Sequence, residues 1–234
     1  MTTLPRMPFR RIRRLALAGL ALLLLLYILN IGRYLVWPPL DGLARHNPPG
    51  TALMDYRRAQ WLAEGKSIDL RWIWVELGRI SPHLRQAVII AEDSAFWEHQ
   101  GFDWEAMRLA LDTNLERGRL DVGGSTISQQ LVKNLYLSPR KSITRKVQEA
   151  LLTWRLERSL DKDRILEIYL NVVEWGEGVF GAEAAARRYF GIPAADLSRR
   201  QAAVLAAMLP APLKRTPDSR HVRKVASVIL RRMR

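Results

Sequence analysis

Glu92 and Glu149 occupy unlike electrostatic settings. Glu92 opens the segment Glu92-Asp93-x-x-Phe96-x-x-His99-x-Gly101 directly after the apolar run Ala87-Val88-Ile89-Ile90-Ala91, whereas Glu149 closes Arg145-Lys146-x-x-Glu149. A carboxyl at the end of a buried helix is desolvated, which disfavours its charged form and suits a general base. One flanked by two cations is favoured as the anion. Two carboxyls pushed apart in this way suit chemistry at a sugar's anomeric carbon, where one moves a proton while the other meets charge elsewhere. The plainer readings are a solvated acidic pair at Glu92-Asp93 and a surface ion pair at Glu149. The apolar run before Glu92 argues against the first; the second stays open, since for an arbitrary protein such a spacing is usually a surface ion pair. A lone histidine among aromatic residues more often packs or hydrogen-bonds structurally, and His99 is expected to do so.

Between the two glutamates lies Gly123-Gly124-Ser125-Thr126-Ile127-Ser128-Gln129-Gln130. Thr126 and Gln129 have the spacing of a capping box, and Ile127, Leu131 and Leu135 recur every four residues as a core stripe. Gln130, Lys133 and Asn134 therefore project elsewhere. Glycines before a helix start leave backbone N–H groups that can receive phosphate or sugar oxygens. Alone, this segment would be an ordinary capped helix.

The elements that must position these groups read as helical from Ser81 onward. Ser81-Pro82 is an N-cap with proline at the first helical position, and the Ala87–Ala91 run that follows is expected to be buried almost all round. Ile143, Val147, Ala150, Leu151 and Trp154 mark an expected buried face in the segment that carries Glu149. Residues 38–80, with Pro48-Pro49-Gly50 as a turn signal and Trp61, Trp72 and Trp74 as scattered apolar anchors, read as a connecting segment of unassigned structure. The basic tail from Lys214 to Arg234 reads as a solvated amphipathic helix.

Residues 1–14 form a basic tail and 15–37 a transmembrane anchor, because the charge-free stretch from Leu15 through Gly32 has the length needed to cross a bilayer. Five arginines precede it and only Arg33 closely follows, which holds the tail in the cytoplasm and places residues 81–234 outside. Tyr34 and Trp37 suit an interfacial belt, and Pro38-Pro39 is expected to end the helix. A cleaved signal peptide is the competing reading, but no small-x-small site follows the apolar core. The net charge of +14, from 37 basic and 23 acidic residues, fits an anionic membrane surface or a diphosphate lipid. No zinc-finger spacing, basic leucine-zipper pattern or RNP-like aromatic pattern points to nucleic acid. The absence of cysteine excludes disulfides, zinc thiolates and thiol nucleophiles.

Taken in order, Glu92 to Gly101, Gly123 to Asn134, Arg145 to Glu157, and Lys162 with Ile165-Leu166-Glu167-x-Tyr169-Leu170-Asn171 resemble the motifs of the family-51 glycosyltransferases. These are the peptidoglycan polymerases found in class A penicillin-binding proteins and as monofunctional enzymes. The likeness runs from about Ser81 to Pro212. It implies a mainly α, lysozyme-like fold of two lobes, one dipping into the membrane, with a donor and an acceptor site in the cleft between them. Carried over by position, Glu92 matches the catalytic base, with Asp93, Phe96 and His99 around it. Thr126, Gln130 and Lys133 match cleft residues, and Arg145, Lys146 and catalytic Glu149 match the group that meets the donor's diphosphate. The family allows a divalent cation there, Mg or Mn, whose ligands the sequence leaves unassigned. Gln201 stands where the family usually has Glu; Leu197-Ser198-x-x-Gln201-Ala202 retains a cap pattern, so the exchange is expected to preserve a helix start. Because the sequence stops soon after Pro212, the monofunctional type, without a transpeptidase domain, is expected.

The resemblance implies polymerisation of lipid II into β-1,4-linked glycan with inversion and release of polyprenyl diphosphate. Glu92 would take the proton from the GlcNAc 4-hydroxyl, while Lys133, Arg145 and Lys146 would hold the departing charge, which needs no general acid. The implied partners are lipid II, polyprenyl-diphosphate-linked glycan, the bacterial inner membrane crossed once, and other wall-synthesis proteins, with the enzyme domain on the periplasmic side. A wall-degrading lytic enzyme and an inactive scaffold of the wall-building machinery remain as other classes.

Overall fold

The computed structural model describes residues 9–119, 123–140 and 142–233. It divides the chain into two units, Met1–Pro39 and Leu40–Arg234.

In the first unit, helix α1 (Phe9–Gly32) is apolar on every side from Leu15 to Leu29, and its leucines are largely uncovered, Leu23 being 66% exposed. Such a helix has no amphipathic face to direct toward a soluble core. Residues Arg13–Leu35 are long and apolar enough to span a bilayer. The α-helix stops at Gly32, before the prolines expected to end it, because the chain tightens into a 3₁₀ turn over Arg33–Leu35.

The second unit is mainly helical, as expected. Its helices are α2 (Ala52–Ala63), α3 (Pro82–Glu92), α4 (Trp104–Arg117), α5 (Ile127–Tyr136), α6 (Ile143–Ser159), α7 (Lys162–Val172), α8 (Ala182–Phe190), α9 (Arg199–Met208) and α10 (Arg220–Arg232). Helix α5 packs on α2, α6 and α7, while α3, α9 and α10 pack together. Ser81 caps α3 through its hydroxyl, and Ser198 and Gln201 form a complete capping box on α9, so glutamine at the third helical position preserves the helix start, as expected. A small sheet of β1 (Arg71–Trp72), β2 (Glu174–Gly176) and β3 (Val179–Phe180) is ordered β1-β3-β2, with β1 parallel and β2 antiparallel to β3.

Residues 40–80 are more than a connection. Leu40, Met54 and Trp61 are buried, and Leu53, Met54 and Trp61 pack with Phe180. Asn171 of α7 fixes the strand-following segment: its Oδ1 accepts from Val75 N–H (2.9 Å), its Nδ2 donates to Val75 O (2.8 Å), and its carbonyl accepts from Trp72 Nε1 (2.7 Å). Short elements joined by long-range polar contacts carry little periodicity, which is why residues 38–80 read as a connection. The C-terminal helix is amphipathic, as expected, but it is part of the packed unit: Val222, Ala226 and Ile229 are buried against α9 and α3.

Two expected buried faces differ. In α3 Ala87 and Val88 are buried, but Ile89, Ile90 and Ala91 are only half-buried. In α6 most of the predicted apolar face points outward, with Ile143 85% and Trp154 49% exposed, Val147 exposed as well, and Ala150 and Leu151 only half-buried. The buried face of α6 carries Glu149, Leu152, Thr153 and Leu156. Periodicity finds an apolar stripe correctly, but whether protein or another apolar medium covers it is set by the tertiary structure.

Candidate active site

Glu92 is the last residue of α3 and faces a cleft of about 350 Å³ with Gln130, Lys133, Asn134, Arg57 and Glu174 on its walls. Burial pushes the Glu92 carboxyl above the ordinary range, and the Gln130 hydrogen bond and the Lys133 charge only partly offset this. Gln130 Nε2 donates to Glu92 Oε2 (2.8 Å), and the buried Oε1 has no partner among the described residues. Tyr169 fixes which way that amide points, donating its hydroxyl proton to Gln130 Oε1 (3.1 Å). Tyr169 is fully buried and its hydroxyl is held well above the usual range by desolvation, so it stays a donor. One carboxylate oxygen is therefore anchored and the other is free to take a proton.

Asp93 supports this arrangement from behind. Its carboxylate accepts from His99 Nε2 (2.9 and 3.1 Å) and from Ile127 N–H (2.9 Å). Because His99 Nδ1 accepts from Gly101 N–H (3.0 Å), the ring proton lies on Nε2 and points at Asp93. His99 thus has the structural part expected of it. Phe96 is fully buried, with Lys162 Nζ 4.6 Å from its ring centroid, and packs behind the cleft.

Helix α5 has the expected capping box and core stripe. Its N-terminal N–H groups are less open than the glycine signal suggested: that of Ile127 is taken by Asp93 and that of Gln129 by Thr126 Oγ1 (3.2 Å). Thr126 Oγ1 in turn donates to Gly101 O (2.8 Å). Gly124 serves close packing, since a Cβ there would lie 2.8 Å from Met107 Cα. The positive charge near this helix start comes from side chains instead. Glu149, 2% exposed, pairs with both Arg145 and Lys146, and Lys146 Nζ donates to Ser125 Oγ (3.2 Å). Lys133 lies near enough to feel Glu92, Glu149, Arg145 and Lys146; burial pulls its ammonium below the ordinary lysine range.

Both oxygens of Glu149 are occupied by cations, and no cluster of three His, Cys, Asp or Glu occurs among the described residues. This donor set does not build a metal centre.

A second hollow of about 220 Å³ also borders Glu92, lined among others by Ser94, Asp103, Gly124 and Arg232. Glu92 and Ser125 line both hollows, so Glu92 borders two ligand-sized spaces. Sequence reasoning did not single out Arg57, Glu174 or Arg232. Glu174 follows the fourth motif closely. It grips Arg57 by a forked ion pair, with Nε to Oε1 at 3.0 Å and Nη2 to Oε2 at 2.8 Å, an arrangement that only the fold reveals.

A family model described as Transglycosylase matches residues 62–234. The chain belongs to this transglycosylase family. Curated relatives named biosynthetic peptidoglycan transglycosylase include one from Laribacter hongkongensis, 51% identical over 83% of each chain. Others are from Aromatoleum aromaticum, 50% identical over 83% of this chain and 85% of the relative, and Methylobacillus flagellatus, 45% identical over 95% and 97%. Among transglycosylase features, the match begins inside α2, so Arg57 lies ahead of it while Glu92, Lys133, Glu149 and Glu174 lie within it.

Proposed function

We propose that this transglycosylase polymerises lipid II into β-1,4-linked glycan strands, with Glu92 as the general base. The observation that carries the reading is the contrast around the cleft. Glu92 is desolvated with one oxygen free, while Lys133 and the Arg145–Glu149–Lys146 cluster concentrate positive charge nearby. The 4-hydroxyl of the acceptor GlcNAc loses its proton to Glu92 Oε1 as its oxygen attacks the anomeric carbon of the donor MurNAc. The bond to polyprenyl diphosphate breaks on the opposite face, which inverts the configuration. The leaving group departs as an anion, so preorganised cations stabilise it and no acid is required. Glu149 orients Arg145 and Lys146 toward that charge. Desolvation of Lys133 strengthens its attraction to the diphosphate.

The substrate is a lipid, and the enzyme stays where lipids are. Helix α1 anchors the chain in the bacterial inner membrane, with the catalytic unit on the periplasmic side, as the arginines before Leu15 direct. Exposed Trp104, Leu109 and Leu115 on α4 and Ile143 and Trp154 on α6 suit contact with a bilayer surface. The test is whether the full chain in detergent converts labelled lipid II into a polymer that a muramidase cuts. Cleavage of isolated wall without polymer formation would replace this reading with a lytic one.

A further inference from the structure

The cations around Glu149 account for one diphosphate, yet the proposed reaction brings two to the enzyme. The donor's is released; the acceptor's remains attached to lipid II throughout and needs its own site. Beyond Glu92, the second hollow holds Arg232, from the last turn of α10. Arg232 is exposed and makes no ion pair among the described residues. The carboxylates sharing its hollow are committed elsewhere: Asp103 accepts from Ala106 N–H (2.8 Å), Asp93 is held by His99 and Ile127, and Glu92 Oε2 accepts from Gln130 Nε2 (2.8 Å).

Arg232 and Ile90 also line two adjoining hollows. One is mostly apolar, about 160 Å³, between Ala91, Ala206, Pro210, Val225 and Val228. The other holds Arg85, whose buried Nε has no hydrogen-bond partner among the described residues, with Asp163 as its only carboxylate. The half-buried Ile89-Ile90-Ala91 turn therefore forms a wall leading away from Glu92 toward two arginines and an apolar trough.

We infer that Arg232, with Arg85, holds the diphosphate of the acceptor lipid II, and that the trough beside Val228 receives the first isoprene units of its chain. This rests on the polymerase reading above. Positive charge beside an apolar trough, continuous with the proton-accepting carboxylate, matches a ligand that carries sugar, diphosphate and prenyl chain in that order. Arg232 touches no reacting atom; it fixes where the 4-hydroxyl arrives.

The test uses the full chain in detergent with a preformed, labelled polyprenyl-linked glycan as donor and lipid II varied as acceptor. Arg232→Ala should raise KM for lipid II about 10- to 100-fold, as loss of a charge-assisted hydrogen bond does, and leave kcat and KM for the glycan donor nearly unchanged. Arg232→Lys should recover most of the loss, and the melting temperature should not move. Val228→Ser should weaken use of lipid II with a long prenyl chain more than that of a short-chain analogue. An unmoved KM for lipid II, or equal rises for both substrates, would overturn the inference. Loss of binding to phosphatidylglycerol vesicles by Arg232→Ala, with KM for lipid II unmoved, would assign the trough to membrane phospholipid instead. If the unaltered protein makes no polymer at all, the failure belongs to the functional reading and not to Arg232.

Discussion

Replacing Glu92 by glutamine should make the protein more stable and less active at once. The carboxyl sits above its ordinary range because burial penalises its charge, and Oε1 has no hydrogen-bond partner to compensate. Between 4.5, its reference value, and its raised folded value, the native state binds more protons than the unfolded chain, so stability falls as pH rises through that window. A buried polar atom left unsatisfied costs about 1–3 kcal/mol, and a charged one costs more. Glutamine is neutral throughout and keeps the size and the Gln130 contact. Glu92→Gln should therefore match the parent near pH 4, where Glu92 is protonated in both states. Near pH 8 it should melt roughly 2–12 °C higher, given 2–4 °C per kcal/mol for a unit of this length. Loss of the general base should lower the polymerisation rate on the order of 100- to 10,000-fold. Calorimetry across pH 4–8 checks the first part, and labelled lipid II the second. A melting difference that is absent or constant across pH would show that Glu92 is not desolvated, and near-normal polymerisation would remove it from the chemistry.

Glu149→Gln and Lys146→Ala should each lose at least tenfold in polymerisation while keeping the pH profile set by Glu92; full activity in both would reduce the cluster to an ion pair without a catalytic part. Asn171→Ala strands both Val75 backbone groups and should destabilise the fold by about 2–4 kcal/mol, read by urea titration. Gly181 has φ +82° and ψ 156°, and a Cβ there would lie 2.6 Å from Asn171 O, so Gly181→Ala should cost about 3 kcal/mol or more on thermal melting. A reporter fused after Arg234 should be active outside the cytoplasm, as the arginine cluster before Leu15 requires; cytoplasmic activity would overturn the orientation.

The helical class and the caps at Ser81, Thr126 and Ser198 were legible because each depends on residues only a few positions apart. Glu92 was legible for a related reason: an acidic residue ending an apolar run reports its own desolvation. The partners of Asp93 were not, since Ile127 is 34 residues away and only the fold brings its N–H to that carboxylate. The same limit hid the Arg57–Glu174 pair, 117 residues apart. The outward face of α6 shows a different limit. Its apolar residues were identified correctly, but periodicity carries no information about what covers them.

The burial of α2 has a practical consequence for anyone trimming this protein. The family match starts at residue 62, and a soluble version begun there would discard Leu53, Met54 and Trp61 from the cluster around Phe180. It would also delete Arg57, stranding the buried Glu174 carboxylate beside the cleft. Such a fragment would lose activity for reasons unrelated to removal of the membrane helix, and would invite the wrong conclusion that the anchor is needed for turnover. The cut that isolates the contribution of the anchor falls before Leu40, where the compact unit begins.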